Sequence, residues 1–162
     1  MRLKRLTIKG FKSFADDTVI NFNENLIGIV GPNGSGKSNV VDSIRWVLGE
    51  QKTSELRLES MSDVLFNGTK ARKEGKVAKV TLSFDNTKNV LPTEYNEVSI
   101  TRLLYRNGNS EYQLNGVPCR KKDITNLFMD SGIGSNSYAI ISLNMVEDIL
   151  HCLLYTSPSP RD

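Results

Sequence analysis

The chain has 162 residues, 38% hydrophobic and 24% charged, with a formal net charge of +3. That is the length of one domain, with apolar content enough for a buried core and a charge too mild to establish a nucleic-acid partner. Cys119 and Cys152 have no C-x-x-C spacing, so a disulfide framework and a cysteine-rich zinc site are excluded. No signal-peptide apolar region follows Met1 and no apolar run reaches transmembrane length, which points to the cytoplasm and to no membrane partner.

Residues 2–9 alternate, with Leu3, Leu6 and Ile8 between basic residues, and predict an opening strand. Gly10-Phe-Lys-Ser-Phe14 follows, then a second strand at Thr18–Phe22, and a turn at Asn23–Asn25 into the apolar strand Leu26-Ile-Gly-Ile-Val30. That strand feeds Gly31-Pro-Asn-Gly-Ser-Gly-Lys-Ser38 and Asn39, a G-x-x-x-x-G-K-[ST] pattern opening a helix. Its four fixed positions co-occur by chance in roughly one chain of this size in two hundred, and the strand–turn–helix setting lowers that further. Glycines let successive backbone N–H groups turn inward at a helix N-terminus, where the dipole favours an anion. The lysine adds a point charge for β- and γ-phosphates, and the serine hydroxyl suits Mg²⁺. Gly31, Gly34, Gly36, Lys37 and Ser38 therefore mark a nucleotide site, with Ser38 the candidate Mg²⁺ ligand.

The helix carries Val40, Val41, Ile44, Val47 and Leu48 on one face, with Asn39, Asp42, Ser43 and Arg45 largely off that stripe. Trp46 reads as a packing residue and Gly49 as the stop. Residues 50–74 predict short pieces, Ser54–Arg57 and Met61–Phe66, ending at Asn67-Gly68. Val80, Leu82 and Phe84 alternate as a half-buried antiparallel strand, and Asn86–Asn96 is a polar connection. Val98–Tyr105 is a strand, Asn107-Gly108 a hairpin turn into Glu111–Leu114, and Asn115-Gly116 a second turn. Asp123 caps a short helix, Ile124–Met129, and a helix-like segment lies at Met145–Leu150. Basic residues cluster at Arg2–Lys12, Lys70–Lys79 and Arg120–Lys122, a pattern that solvated loops and strand faces explain more often than DNA does.

Taken together, Gly10–Phe14, the P-loop continuing through Ser38-Asn-Val-Val-Asp-Ser-Ile-Arg-Trp-Val-Leu-Gly49, Leu56-Arg57 with Asp63–Phe66, Asp130–Gly134, Tyr138–Ser142 and Met145–Leu150 closely resemble the N-terminal head segment of bacterial chromosome-segregation SMC proteins. Asn39 favours the SMC, Rad50 and RecF group over transporter ATPases. The resemblance implies an α/β P-loop NTPase fold, the N-terminal lobe of an ABC-type head. That lobe would have a mixed sheet around the P-loop helix and an antiparallel portion over residues 77–118. It also implies that the signature motif, Walker B carboxylates and switch histidine come from a C-terminal lobe of the same polypeptide. Carried onto this chain, the resemblance implies that Pro32, Asn33, Gly34, Ser35, Gly36, Lys37, Ser38 and Asn39 hold the triphosphate of ATP, with Ser38 on Mg²⁺. ATP would engage two heads, and hydrolysis would drive DNA entrapment, with kleisin-type subunits as further partners. Such a protein works in the cytoplasm on the nucleoid. Arg57 matches the arginine through which DNA stimulates hydrolysis, an exposed loop arginine being the plainer alternative, and Lys12 and Ser13 fall near the nucleotide.

The sequence departs from the family twice. Position 143, where the family has its Q-loop glutamine, is Leu143, followed by Asn144 in place of glycine; leucine has no oxygen to ligate a metal. Residues 151–162 lack the charged coiled coil that follows in the family, so the expected division is a lobe over 1–150 and a tail over 151–162 that is foreign to the family and expected to be disordered. With no Walker B or signature motif present, the chain by itself is not expected to turn over ATP. A RecF- or RecN-like repair ATPase and a hydrolysis-defective nucleotide-binding module are the alternatives.

Overall fold

A computed structural model describes residues 2–130. The segments expected at Tyr138–Ser142 and Met145–Leu150, with Leu143, Asn144 and residues 151–162, lie outside the described residues. Strands β1 (Arg2–Lys9), β2 (Thr18–Asn21), β3 (Val77–Asp85), β4 (Glu97–Tyr105), β5 (Ser110–Leu114) and β6 (Val117–Cys119) accompany helices α1 (Lys37–Val47) and α2 (Lys121–Asp130). The strands form one six-stranded sheet in the order β2-β1-β3-β4-β5-β6, antiparallel at every pairing.

Alternation decides which face is covered. Leu6, Ile8, Val80, Leu82, Phe84, Val98 and Ile100 point one way and are buried, because side chains two apart share a face of a pleated strand. On the other face, Thr81 and Thr101 stand opposite each other with their hydroxyls 2.8 Å apart. Glu97 accepts from Lys4 at 2.6 Å and Arg5 at 2.9 Å there. Helix α1 lies across β3 and β4 on the apolar side. The tight turns match their residues: Asn115 and Gly116 both have positive φ, 49° and 80°, as a two-residue hairpin turn between β5 and β6 demands.

Two local expectations change. Leu26–Val30 is not a strand: Leu26 and Val30 are 91% and 94% exposed, and no backbone hydrogen bond joins residues 26–30 to another described residue. An extended apolar run becomes a strand only when a neighbour completes its ladder, and none of the six strands runs beside it. The antiparallel portion expected over residues 77–118 is present, and among the described residues every strand pairing is antiparallel. The buried stripe of α1 is also rotated: Val40, Asp42, Ser43, Trp46 and Val47 face inward while Val41 is 40% exposed. The connection after β3 is built around Asn86, fully buried, whose amide donates to the carbonyls of Leu91 and Tyr95 and accepts from the Leu91 N–H.

Asp123 sits inside the first turn of α2 rather than before it, and its carboxylate reaches back to the Arg120 backbone N–H at 2.9 Å and to the Arg120 guanidinium at 3.1 Å. The arginine first, and the backbone donor second, hold this carboxyl below its ordinary value. A depressed carboxylate contributes stability that is complete above its unfolded value, near pH 4, and is lost as pH falls through the lowered folded value. Acid titration of the unfolding midpoint should therefore show a shallower loss of stability below about pH 4 in Asp123→Asn than in the parent chain.

Candidate nucleotide site

Helix α1 begins directly after the glycine-rich turn. Gly36 is its N-cap, in the left-handed region at φ 91°, with no side-chain cap bond and no acidic residue in the first turn. A Cβ on Gly36 would come within 2.8 Å of Ser13 Oγ, so glycine is required for close approach as well as for conformation. Among the described residues the N–H groups of Asn33, Gly34, Gly36, Lys37 and Ser38 have no protein acceptor, whereas Ser35 and Asn39 donate to Pro32 and Gly36 carbonyls. The positive end of the α1 dipole is thus left open, surrounded by free donors. Lys37 folds back over the turn, its ammonium donating to the carbonyls of Gly31 and Pro32, the latter at 2.8 Å.

The opening motif, Gly10–Phe14, is laid against the same helix. Gly10 has φ 60°, and a Cβ there would lie 2.1 Å from the Val77 carbonyl oxygen, so the chain passes β3 where only glycine fits. Phe11, fully buried, meets the Trp46 ring at 5.4 Å. Ser13 Oγ accepts from Asn39 Nδ2 at 2.9 Å, and Lys12 Nζ reaches Asp42. From the other side comes Arg57, which follows the short 3₁₀ turn Ser54–Leu56 and has φ 54°. Its Nη2 donates to Asn39 Oδ1 at 3.2 Å and to Asp42. The structure therefore brings Lys12, Ser13, Asn39 and Arg57 together around the first turns of α1, beside Lys37 and Ser38.

Sequence reasoning missed two residues here. Asp42, set on the polar side of the helix by pattern, is only 4% exposed and carries both Lys12 and Arg57. Arg102, read as an ordinary strand residue, is also 4% exposed, and its Nη1 donates to the carbonyls of Trp46 at 2.8 Å and Glu50 at 2.9 Å. The guanidinium lies 4.6 Å from the Trp46 ring centroid and 5.2 Å from that of Tyr112. Burial lowers the Arg102 pKa from its ordinary value, but the helix C-terminus and two aromatic faces favour the cation. A charged residue breaking the apolar alternation of β4 was the available signal.

Residues 2–138 match the family model described as the RecF/RecN/SMC N-terminal domain, and the chain belongs to that family. Within it, the likeness runs to SMC heads. The Chromosome partition protein Smc of Lactiplantibacillus plantarum is 55% identical over 93% of this chain and 13% of its own length. The chain thus spans about 13% of the length of the first curated relatives it matches. A structure from work on ATP-driven dimerization and DNA-stimulated activation of SMC ATPases superposes with TM-score 0.86 at 32% identity, over 99% of this chain and 93% of that one. A Pyrococcus furiosus Smc head bound to the C-terminal domain of ScpA superposes with TM-score 0.85 at 34% identity, over 92% of this chain and 38% of that one. A RecF chain at 22% identity and TM-score 0.55, over 76% of this chain and 29% of that one, shares the fold alone.

Replacing the buried guanidinium by an apolar chain of similar length leaves the carbonyls of Trp46, in the last turn of α1, and Glu50, just beyond it, with one partner fewer. Arg102→Met should lower unfolding free energy by about 2 kcal/mol in urea titration, with the loss appearing as a shifted midpoint at unchanged slope.

Proposed function

We propose that residues 32–39 bind the triphosphate of ATP with Mg²⁺. The chain then serves as the N-terminal half of an SMC ATPase head that, joined to its C-terminal lobe and dimerised, hydrolyses ATP to entrap DNA for chromosome segregation. The observation that carries this reading is the set of free N–H donors at the uncapped N-terminus of α1, with Lys37 alongside. A triphosphate satisfies those donors and the open dipole together. Lys37 can exchange two carbonyl acceptors for phosphate oxygens without crossing the site, and Ser38, on the first turn of α1, offers the hydroxyl suited to the cation. Bound Mg²⁺ would supply charge neutralisation across β and γ oxygens.

The exposed run Leu26–Val30 suits a covering C-terminal lobe, since a contiguous apolar surface of this kind marks an interaction site. Among the described residues no helix is long and apolar enough to cross a membrane, in keeping with work in the cytoplasm on the nucleoid. A dimer of heads and a kleisin partner are supported by the SMC structures described as dimerising with ATP and as bound to ScpA. DNA as the regulating partner is supported by the placement of Arg57 beside α1, one step from the phosphate-facing turn.

Equilibrium dialysis with Mg·ATP tests the core of the proposal. The chain should bind saturably, and Lys37→Ala should weaken binding at least about tenfold by removing a charge-assisted contact. No saturable binding, or an equal constant for Lys37→Ala, would exclude a nucleotide site. A hydrolysis-defective version of the same module is favoured by Leu143, because leucine cannot ligate the metal or orient water. In a head completed by its C-terminal lobe, Leu143→Gln should raise ATP turnover at least about tenfold while leaving ATP affinity within about twofold. Equal turnover in both forms would dismiss that version.

A further inference from the structure

We propose that Asp42 is a positioning residue, whose carboxylate seats the Arg57 guanidinium at the phosphate end of α1 while Lys12 braces the seat. This rests on the nucleotide reading above and names a residue on which that site depends. Asp42 lies one helical turn beyond Ser38, and a carboxylate only 4% exposed is withdrawn from water where cations meet it. A single oxygen, Oδ2, accepts from Lys12 Nζ and from Arg57 Nη2, each at 2.5 Å.

The two cations differ in freedom. The Lys12 side chain is 10% exposed and its ammonium also donates to the Leu56 carbonyl at 2.5 Å. That carbonyl belongs to the peptide immediately before Arg57, so Lys12 fixes the backbone on which the arginine stands. Arg57 itself is 54% exposed. Both Lys12 and Arg57 have left-handed backbone, φ 48° and 54°, a conformation that residues with a Cβ keep where their surroundings hold them. Among the described residues Nη1 and Nε of Arg57 have no protein partner, which leaves N–H donors free for a phosphate oxygen. One carboxylate against two cations leaves surplus positive charge next to Lys37 and the free N–H groups, where a triphosphate gains most from it.

A carboxylate that merely neutralised Lys12 would lower stability and weaken every nucleotide contact alike. One that positions Arg57 makes the arginine's contribution conditional. Mg·ATP dissociation constants, measured by equilibrium dialysis on the full 162-residue chain, separate the two. Arg57→Ala should weaken binding about fivefold in the parent chain and by less than about twofold in Asp42→Asn, while Lys37→Ala still weakens binding at least about tenfold in both. An Arg57→Ala ratio that is the same in both backgrounds overturns the proposal, as does a ratio of one in the parent. Should Asp42→Asn not fold, because it strands the Lys12 ammonium, Lys12→Met is the second background. It leaves Asp42 to Arg57 but frees the Leu56 carbonyl, and it too should reduce the Arg57→Ala ratio below about twofold. An undiminished ratio there is equally adverse. Failure of the nucleotide reading has a different signature, since neither the parent chain nor any variant would then bind Mg·ATP; that result removes both proposals.

Discussion

Arg102 lies buried under the last turn of α1 with no carboxylate within salt-bridge distance among the described residues, and the carbonyls of Trp46 in that turn and of Glu50 just beyond it meet its charge. Lys121 adds a second cation at the same end, donating to the Gly49 carbonyl at 2.7 Å. Two cations on the negative pole, together with the Trp46 ring packed on Phe11 and under the Arg102 guanidinium, fix α1 from its C-terminal end and from below. The N-terminal end needs no structural cap as a result. It can leave its donors free, which an isolated helix of eleven residues could ill sustain.

The surroundings of that free end are polar and cationic for a related reason. Lys12 and Arg57 reach it from two separate loops, and a single buried carboxylate on the helix joins them. The loops are otherwise tied to each other through backbone bonds, Lys12 to Val64 and Phe66 to Gly10, which join the opening motif to the segment after α1 at the end of β1. The N-terminal end of α1 is thereby supported by β1 and β3 even though none of the residues around it lies on them.

Opposite in character is the run Leu26–Val30, apolar and open to solvent immediately before the glycine-rich turn. A P-loop is normally launched from a paired strand, which sets the direction in which its N–H groups aim. Here the turn is held instead by its helix, by the Lys37 ammonium across Gly31 and Pro32, and by the tight approach of Gly36 to Ser13. Pairing of residues 26–30 by further chain would therefore act on the site directly, since the two segments are continuous.

Local pattern was enough to read the alternating strands, the Asn115-Gly116 turn, the helix after the glycine-rich loop and the packing role of Trp46. Each follows from residues close in sequence: period-two burial, positive φ at consecutive positions, and a helical apolar face. The glycine, lysine and serine pattern marked the candidate site for the same reason, because a phosphate-binding turn is a single short stretch. Pattern failed where the deciding partner was distant. Asp42 looked solvent-facing on its own helix; its burial depends on Lys12, thirty residues before it, and Arg57, fifteen after. Arg102 and the C-terminus of α1 are more than fifty residues apart, and Leu26–Val30 has strand chemistry without a strand beside it. Charge compensation and ladder completion are properties of the packed chain, so only the tertiary structure decided them.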